Sequence, residues 1–449
     1  MLGILYLLVC LFFGVQLLRF MIPDLRRLYV GIAAQPSVLE KVPSYLFFIP
    51  AGLTIGLVVV TAFTYFLALI IHPFTPKEMH VLFPVNIIAL CFFSYLGSVF
   101  WQKTYVRNRR LRARNIEEDY KTRRPLPFSA SVTSIIIYLS AFVIMTAACI
   151  YLAFYTFNLQ DSILRVAPSV ASDFAPNLAL ASSFSNGANF PTQYPHFPGD
   201  NIQYHFFFFF LCGNLNLLGL PMDMAFNIPS ILVMLCALTL LGLLAVLMSG
   251  RRIAFLFLPL LIFFRSAMNI FYQLRDILSD PDTGFGGAAR VIASSNEWYV
   301  LTDKDDWGLW AINVYTNQRH LMLGVSFLLV IIFLFTPHVR RMFLHLSKNK
   351  GLKEKLKAFA FSRHAWLPRK NDPLHPYRLL IVSLVLVVAT PYFHGSALIA
   401  TMLILFGMAL FSESRLLYLP VALTGIASAL AQTILFSGGM SHVISLSIK

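Results

Sequence analysis

The chain predicts an all-α, polytopic transmembrane protein, and three observations carry that prediction. Of its 449 residues, 58% are hydrophobic and only 12% are charged, whereas soluble domains carry about 25% charged residues. Apolar runs of about 20 residues, long enough for a helix to cross the bilayer core, recur along the sequence. The charges between those runs are sorted by sign, as they are in membrane proteins that gather Lys and Arg in cytoplasmic loops. Unbroken apolar runs point to helices and not to a barrel, whose strands alternate in polarity.

Taken in order, the first run "MLGILYLLVCLFFGVQLL" lacks a basic leader and a small-residue cleavage site. It reads as a first transmembrane helix or uncleaved anchor near 1–22. Further spans are expected near 44–72, 80–101, 130–157, 225–248, 253–272, 321–337, 379–393, 396–412 and 416–436. These make about ten spans, or eleven if the apolar segment 205–220 also crosses. Residues 1–102 read as an N-terminal appendage of three spans, 103–129 as a basic cytoplasmic linker and 130–449 as the main transmembrane domain.

Orientation follows from the loops. Residues 103–128 hold nine Lys/Arg and the loop 338–378 carries ten between 338 and 370, so both are expected in the cytoplasm. In the loop 158–204 Arg165 is the only Lys or Arg. The loop 273–319 is net acidic, with Asp276, Asp280, Asp282, Glu297, Asp303, Asp305 and Asp306. Both are expected outside. The segment "YHFFFFFLCGNLNLLGL" is short for a span, and crossing would put Arg251 and Arg252 outside. It is therefore expected to lie along the outer interface, inside a first outer loop of 158–224.

Composition also excludes functions. The net charge of +15 fits cytoplasmic loops and anionic lipid, and no groove-reading motif accompanies it, so nucleic acid is not an expected partner. The five cysteines lie in apolar segments with no paired spacing and read as small hydrophobes. Walker A, GxSxG, HExxH and CxxC motifs are absent. Acids inside the spans are scarce, which weighs against ion-coupled transport.

Chemistry-bearing residues cluster in the outer loops. In "SDFAPNLALASSFSNGANFP" Ser172 is a natural N-cap, which predicts a helix from Phe174 or Ala175 to about Phe184 and a turn at Asn186-Gly187. Asp173 then stands at the helix N-terminus, as a capping group or as a base toward an acceptor hydroxyl. "QYPHFPGDNIQYHF" supplies His196, Asp200, Tyr204 and His205 on a rigid turn. They could meet a metal or a phosphate, although the spacing matches no ligand template. In "WGLWAINVYTNQRHL", Trp307 and Trp310 could stack on sugar faces or form an aromatic belt. Gln318, Arg319 and His320 stand where the chain re-enters the membrane, and an outer arginine suits a phosphate. His394 in "TPYFHGSAL" faces the same compartment from a tight turn.

The order of these motifs resembles the N-terminal half of the GT-C superfamily of polytopic glycosyltransferases, in the branch related to protein O-mannosyltransferases. The resemblance covers residues 155–255: an acid opening a small-residue helix, a Pro-rich turn, a second apolar helix, then "AFNIPSIL" starting a span that ends at "SGRR". Asp173 stands at the family's catalytic acid, and Phe174 where many members carry a second acid, a departure that weakens a metal-dependent version. "YHFF" replaces a Pro-Pro-Leu-Tyr stretch, and Asn227 an arginine before Pro229-Ser230. The resemblance implies transfer from a polyprenyl-phosphate-linked sugar to a glycan, lipid or protein acceptor on the outer face. Asp173 would act as base and Arg319, His320 and His205 would hold phosphate. His196, Asp200, Tyr204, Trp307, Trp310, Gln318 and His394 would line the substrate site. No cofactor is expected, and the membrane is expected to be a bacterial plasma membrane. A lipid or glycan transporter or flippase, and an inactive assembly partner, are the alternatives.

Overall fold

The computed structural model describes residues 2–35, 42–118, 132–263, 269–279, 310–349, 351–370 and 372–436, with isolated positions such as Val38 and Arg265. The chain opens with α1 (Leu2–Met21), α2 (Leu25–Ile32), α3 (Tyr45–Ile71) and α4 (Leu82–Glu118). α5 (Val132–Thr156) leads into a hairpin of β1 (Phe157–Gln160) and β2 (Ile163–Val166). Then come α6 (Ala171–Gly187), α7 (Phe207–Leu217), α8 (Met222–Ser249), α9 (Ala254–Phe263) and α10 (Asn269–Ser279). α11 (Leu321–Ser347), α12 (Leu352–Ala360), α13 (Arg363–Trp366), α14 (Pro376–Phe393), α15 (Gly395–Leu410) and α16 (Tyr418–Phe436) follow.

Eight helices among the described residues are long and apolar enough to cross a membrane: α1, α3, α4, α5, α8, α11, α14 and α16. Each coincides with an expected span, and the protein is an all-α, multi-pass integral membrane protein. The expected spans near 253–272 and 396–412 are the shorter helices α9 and α15, of 10 and 16 residues. At 1.5 Å per residue they rise about 15 and 24 Å, less than a bilayer core of about 30 Å.

Helix ends sort into two sets. At one end, Arg107 of α4 donates to the Arg19 and Phe20 carbonyls that close α1, at 2.9 and 3.1 Å. Arg378 of α14 reaches Phe20 as well, at 3.3 Å. Ala34 accepts from Arg340 of α11 at 3.5 Å and donates to Leu247 near the end of α8 at 2.9 Å. Arg341 pairs with Asp372 at 2.8 Å and with Glu413 at 3.3 Å, and Glu413 in turn with Arg369 at 3.1 Å. Side chains from both basic loops therefore meet at a single end. The opposite end brings together Gly3, bonded to Leu218 at 3.1 Å, and His80, bonded to the Phe184 carbonyl at 3.0 Å. The last described residue, Phe436, packs there on Phe206 with ring centroids 5.2 Å apart.

The first three spans do not stand apart from the rest. α1 and α3 pack on each other and also against α7, α8, α11 and α14, and the hydrophobic core runs from Tyr6 to Phe436. The α1–α3 crossing is close because Gly52 and Gly56 stand one turn apart on α3, a spacing that lets backbones approach. A Cβ at Gly56 would overlap the Cys10 carbonyl oxygen. The basic linker is in part a continuation of α4, which is helical to Glu118, and residues 119–131 lie outside the described residues.

Three local expectations need correcting. Segment 205–220 does not lie along a surface: α7 is 11 residues long and every residue from Phe207 to Leu215 is buried. An interfacial helix leaves one face to lipid, but α7 is enclosed by α1, α3, α6, α8 and α14. Its Asn214 exchanges two amide hydrogen bonds with Asn86 of α4, at 2.7 and 3.0 Å, so its polar groups need no water. Ser172 is not the N-cap of α6. A 3-10 turn at Pro168–Val170 starts the coil earlier, and α6 begins at Ala171. The helix then runs through Asn186 and Gly187, and the left-handed residue that ends it is Ala188, at φ 46°.

Candidate functional site

Three histidines from three separate turns meet at the end of the bundle opposite the arginines. Their ring nitrogens lie within 4.8 Å of one another in the set His205, His320 and His394. His205 is pinned because the five phenylalanines that follow it, Phe206–Phe210, are all buried. His320 is the N-cap residue of α11, and only 1% of it is exposed. His394 separates α14 from α15 and caps α15, its Nδ1 accepting the Ala397 N–H at 3.2 Å. Gly324, one turn into α11, lets the turn at 394 come close: a Cβ there would stand 2.6 Å from that of Ala397 and 3.2 Å from that of His394.

Nε2 of His205 lies 2.6 Å from Nε2 of His320. The Tyr204 hydroxyl is 3.4 Å from the same His320 nitrogen, and the Tyr204 ring stacks on His205 at 3.9 Å. His394 stacks on His205 at 5.0 Å and tilts against His320 at 4.9 Å. His320 Nδ1 and His394 Nε2 are buried with no hydrogen-bond partner among the described residues. Burial pushes the His205 ring down to about 3, helped by the charge of His394. Burial also pushes His394 down to about 4, against a backbone hydrogen bond within its own residue that favours the protonated ring. His320 is held well below the ordinary histidine value by burial and by its two neighbours. All three rings are therefore neutral at pH 7, and each offers one lone pair and one N–H.

Asp173 lies in the first turn of α6, half-buried. Burial pushes the Tyr204 hydroxyl up to about 12, and the charges of Asp173 and Tyr194 add to that. Asp173 thus acts electrostatically on the tyrosine that touches the histidines. Its neighbour Phe174 turns the other way and is buried against Phe157 and Phe226, at 5.1 and 6.0 Å.

Arg319 adjoins His320 in sequence but is engaged elsewhere. Its Nε donates to the Thr316 carbonyl at 3.1 Å, and its Nη2 to Ala153 O at 3.1 Å and Thr156 Oγ1 at 2.9 Å. Its Nη1 donates to Asn227 Oδ1, and the Phe174 ring covers it. Four of its five N–H groups are therefore held by the protein, and the guanidinium ties α5 and α8 to the turn before α11. Burial lowers its pKa to about 9.

The other residues expected to line a site are dispersed around this group. His196 and Asp200 are exposed on the turn that Tyr194 and Asp200 close through their backbones, at 3.2 Å. Gln318 is half-buried, with its backbone N–H on Val314 at 2.8 Å. Trp310 carries the Arg265 guanidinium 3.6 Å over its ring. Trp307 and the acids Asp303, Asp305 and Asp306 lie outside the described residues.

Two ties are not anticipated by any sequence motif. Asn227 donates to the Phe157 carbonyl at 2.8 Å while accepting from Arg319. Asp223 accepts the Leu159 N–H at 3.1 Å and so fastens the hairpin to α8. An acid and an amide near the start of an apolar span are the available signal, since buried polar groups need partners. Compared with known proteins, the chain matches no family model, no curated protein and no solved structure.

Proposed function

We propose that this protein is a membrane glycosyltransferase that takes a sugar from a polyprenyl-phosphate-linked donor and passes it to a glycan, lipid or protein acceptor. In this reading the reaction runs on the outer face of a bacterial plasma membrane. The observation that supports it most is the meeting of His205, His320 and His394 beside Tyr204, whose hydroxyl feels the charge of Asp173. The order of motifs around Asp173 supports it independently.

A lipid-linked donor carries its own activated anomeric carbon, so the protein needs a base and a receiver for the departing phosphate. The acceptor oxygen attacks the anomeric carbon while its proton passes to the Asp173 carboxylate. The bond from the anomeric carbon to the phosphate oxygen breaks, and the phosphate keeps the electron pair. Neutral imidazole N–H groups stabilise that oxygen by hydrogen bonding, and the Tyr204 hydroxyl is a further donor. Burial among phenylalanines strengthens these bonds, because water competes for them less.

The test is sugar transfer by the purified protein in proteoliposomes, with radiolabelled sugar on a polyprenyl phosphate and an acceptor extract. Asp173→Asn is expected to lower transfer by about 10²–10⁴-fold, the usual worth of a positioned base. Transfer by the variant at the wild-type rate overturns the reading. Movement of the intact donor across the bilayer with no covalent product, in both proteins, identifies a flippase instead.

A further inference from the structure

We propose that His205, His320 and His394 together bind one divalent transition-metal ion of the zinc class, with a fourth coordination position left for an anionic oxygen. Such a site stands whichever sugar is transferred, and whether or not one is.

An orphaned nitrogen points to it. His394 Nε2 is buried and makes no hydrogen bond among the described residues. Leaving a buried polar atom unpaired costs free energy, and native folds rarely do it without a reason. His394 belongs to a group in which one ring nitrogen from each histidine lies within 4.8 Å of the others. Two nitrogens bound to one tetrahedral ion at 2.0–2.1 Å stand about 3.3 Å apart. The 2.6 Å between the His205 and His320 Nε2 atoms is shorter. Opening that contact by about 0.7 Å, and closing the widest separation in the group, at most 4.8 Å, by up to about 1.5 Å, gives the spacing of three nitrogens on one zinc-class ion.

Each ring must present an unprotonated nitrogen. His394 Nδ1 accepts the Ala397 N–H at 3.2 Å, so the neutral ring carries its proton on Nε2. Binding through Nε2 requires that proton to move to Nδ1 and the Ala397 contact to give way.

The donor set selects the metal. It is imidazole alone, with no thiolate and no carboxylate in the group. Such a set suits Zn²⁺, Co²⁺, Ni²⁺ or Cu²⁺ and not the oxygen-seeking Mg²⁺ or Ca²⁺. Three neutral ligands leave both charges of the ion uncompensated. A hydroxide or a phosphate oxygen is therefore its natural fourth ligand, as in three-histidine catalytic zinc sites. The Tyr204 ring, stacked on His205 at 3.9 Å, and the Phe209 ring, 5.4 Å from His320, pack against the group.

The experiment uses the purified full-length protein in detergent, stripped with a chelator and titrated with CoCl₂. One equivalent of Co²⁺ is expected, with the intense visible bands of a four-coordinate nitrogen site, and ZnCl₂ is expected to displace it. Zn²⁺ is also expected to raise the thermal midpoint of the stripped protein. His320→Ala and His394→Ala are expected to weaken binding by at least about 10–100-fold, and His196→Ala, on the exposed turn, to leave it unchanged. If the two alanine variants fail to fold, the wild-type cobalt spectrum decides. Weak six-coordinate bands, binding unchanged in folded variants, or stabilisation by inorganic phosphate with no bound metal each overturn the proposal. Metal binding in a protein that transfers no sugar leaves this inference standing and removes the previous one.

Discussion

The Phe174 ring covers the Arg319 guanidinium, with 5.0 Å from its centroid to the central carbon. The residue beside the candidate base is thus a lid over a buried cation, and that cation is satisfied by Asn227, Thr156, Ala153 and Thr316. Arg319→Lys keeps the charge but has no fork to reach acceptors on three elements. Each charged hydrogen bond is worth roughly 1.5–3 kcal/mol, so a loss of about 3 kcal/mol or more is expected. The check is thermal unfolding in detergent. An unchanged midpoint would show that Arg319 is not the structural tie described.

The Asn86–Asn214 pair gives a second prediction. Each side chain donates to the other, at 2.7 and 3.0 Å, in a fully buried contact between α4 and α7. Asn214→Leu alone strands the Asn86 amide and is expected to cost about 1–3 kcal/mol. The double variant Asn86→Leu, Asn214→Leu removes both polar groups and is expected to recover much of that loss. A double-mutant cycle on the unfolding midpoint measures the coupling, and strict additivity would count against the pair.

Close packing of α1 on α3 yields a third. Gly56 meets the Cys10 backbone, and no side chain can be added there without moving a helix. Gly56→Val is expected to lower stability by about 1–3 kcal/mol or more through overpacking. Gly187, whose Cβ would meet nothing within 4 Å, is the control, and Gly187→Ala is expected to be near neutral. Comparable losses at both positions would mean that the crossing is not the cause.

At the arginine-rich end, acid is expected to loosen the fold. Burial acts to raise the Asp372 pKa, but the Leu374 N–H and the Arg341 guanidinium outweigh it and hold the carboxyl below its ordinary value. A folded-state pKa below the unfolded one adds stability that is complete above the unfolded value, about 3.9 for Asp. That contribution is lost as pH falls through the lower folded value. The midpoint should therefore drop on acidification below about pH 4. Asp372→Asn should be less stable at pH 7 and flatter across the acid range. A variant as pH-sensitive there as the wild type would assign the acid loss to other carboxyls.

The spans were legible in the sequence because membrane insertion is decided by composition over about 20 residues, a local property. The grouping of basic loops at one end was legible for a similar reason. The burial of α7 was not. A short apolar run looks the same whether its outer face meets lipid or protein, and the partner of Asn214 lies 128 residues away. The histidine group was half legible. Each ring was identifiable from its place beside a span, but no spacing announced that His205 and His320, 115 residues apart, would touch. Arg319 read as a phosphate clamp because an outer arginine is unusual, and three of its four acceptors lie in α5 and α8, far away along the chain. Ser172 read as a cap because the rule is local, and the 3-10 turn at Pro168–Val170 set the helix start before it.

α7 also bears on how the molecule is put together. Eleven residues of helix rise about 16 Å, half the bilayer core, so this segment cannot be held in a membrane by its own length. One wall of its compartment is α14, whose Tyr392 and Phe393 rings stand 5.1 and 5.5 Å from that of Phe207. A ribosome must add about another 180 residues after the phenylalanine run before those rings exist. The order in which this chain is made and the order in which it is finished are therefore different, and the histidine end is completed late.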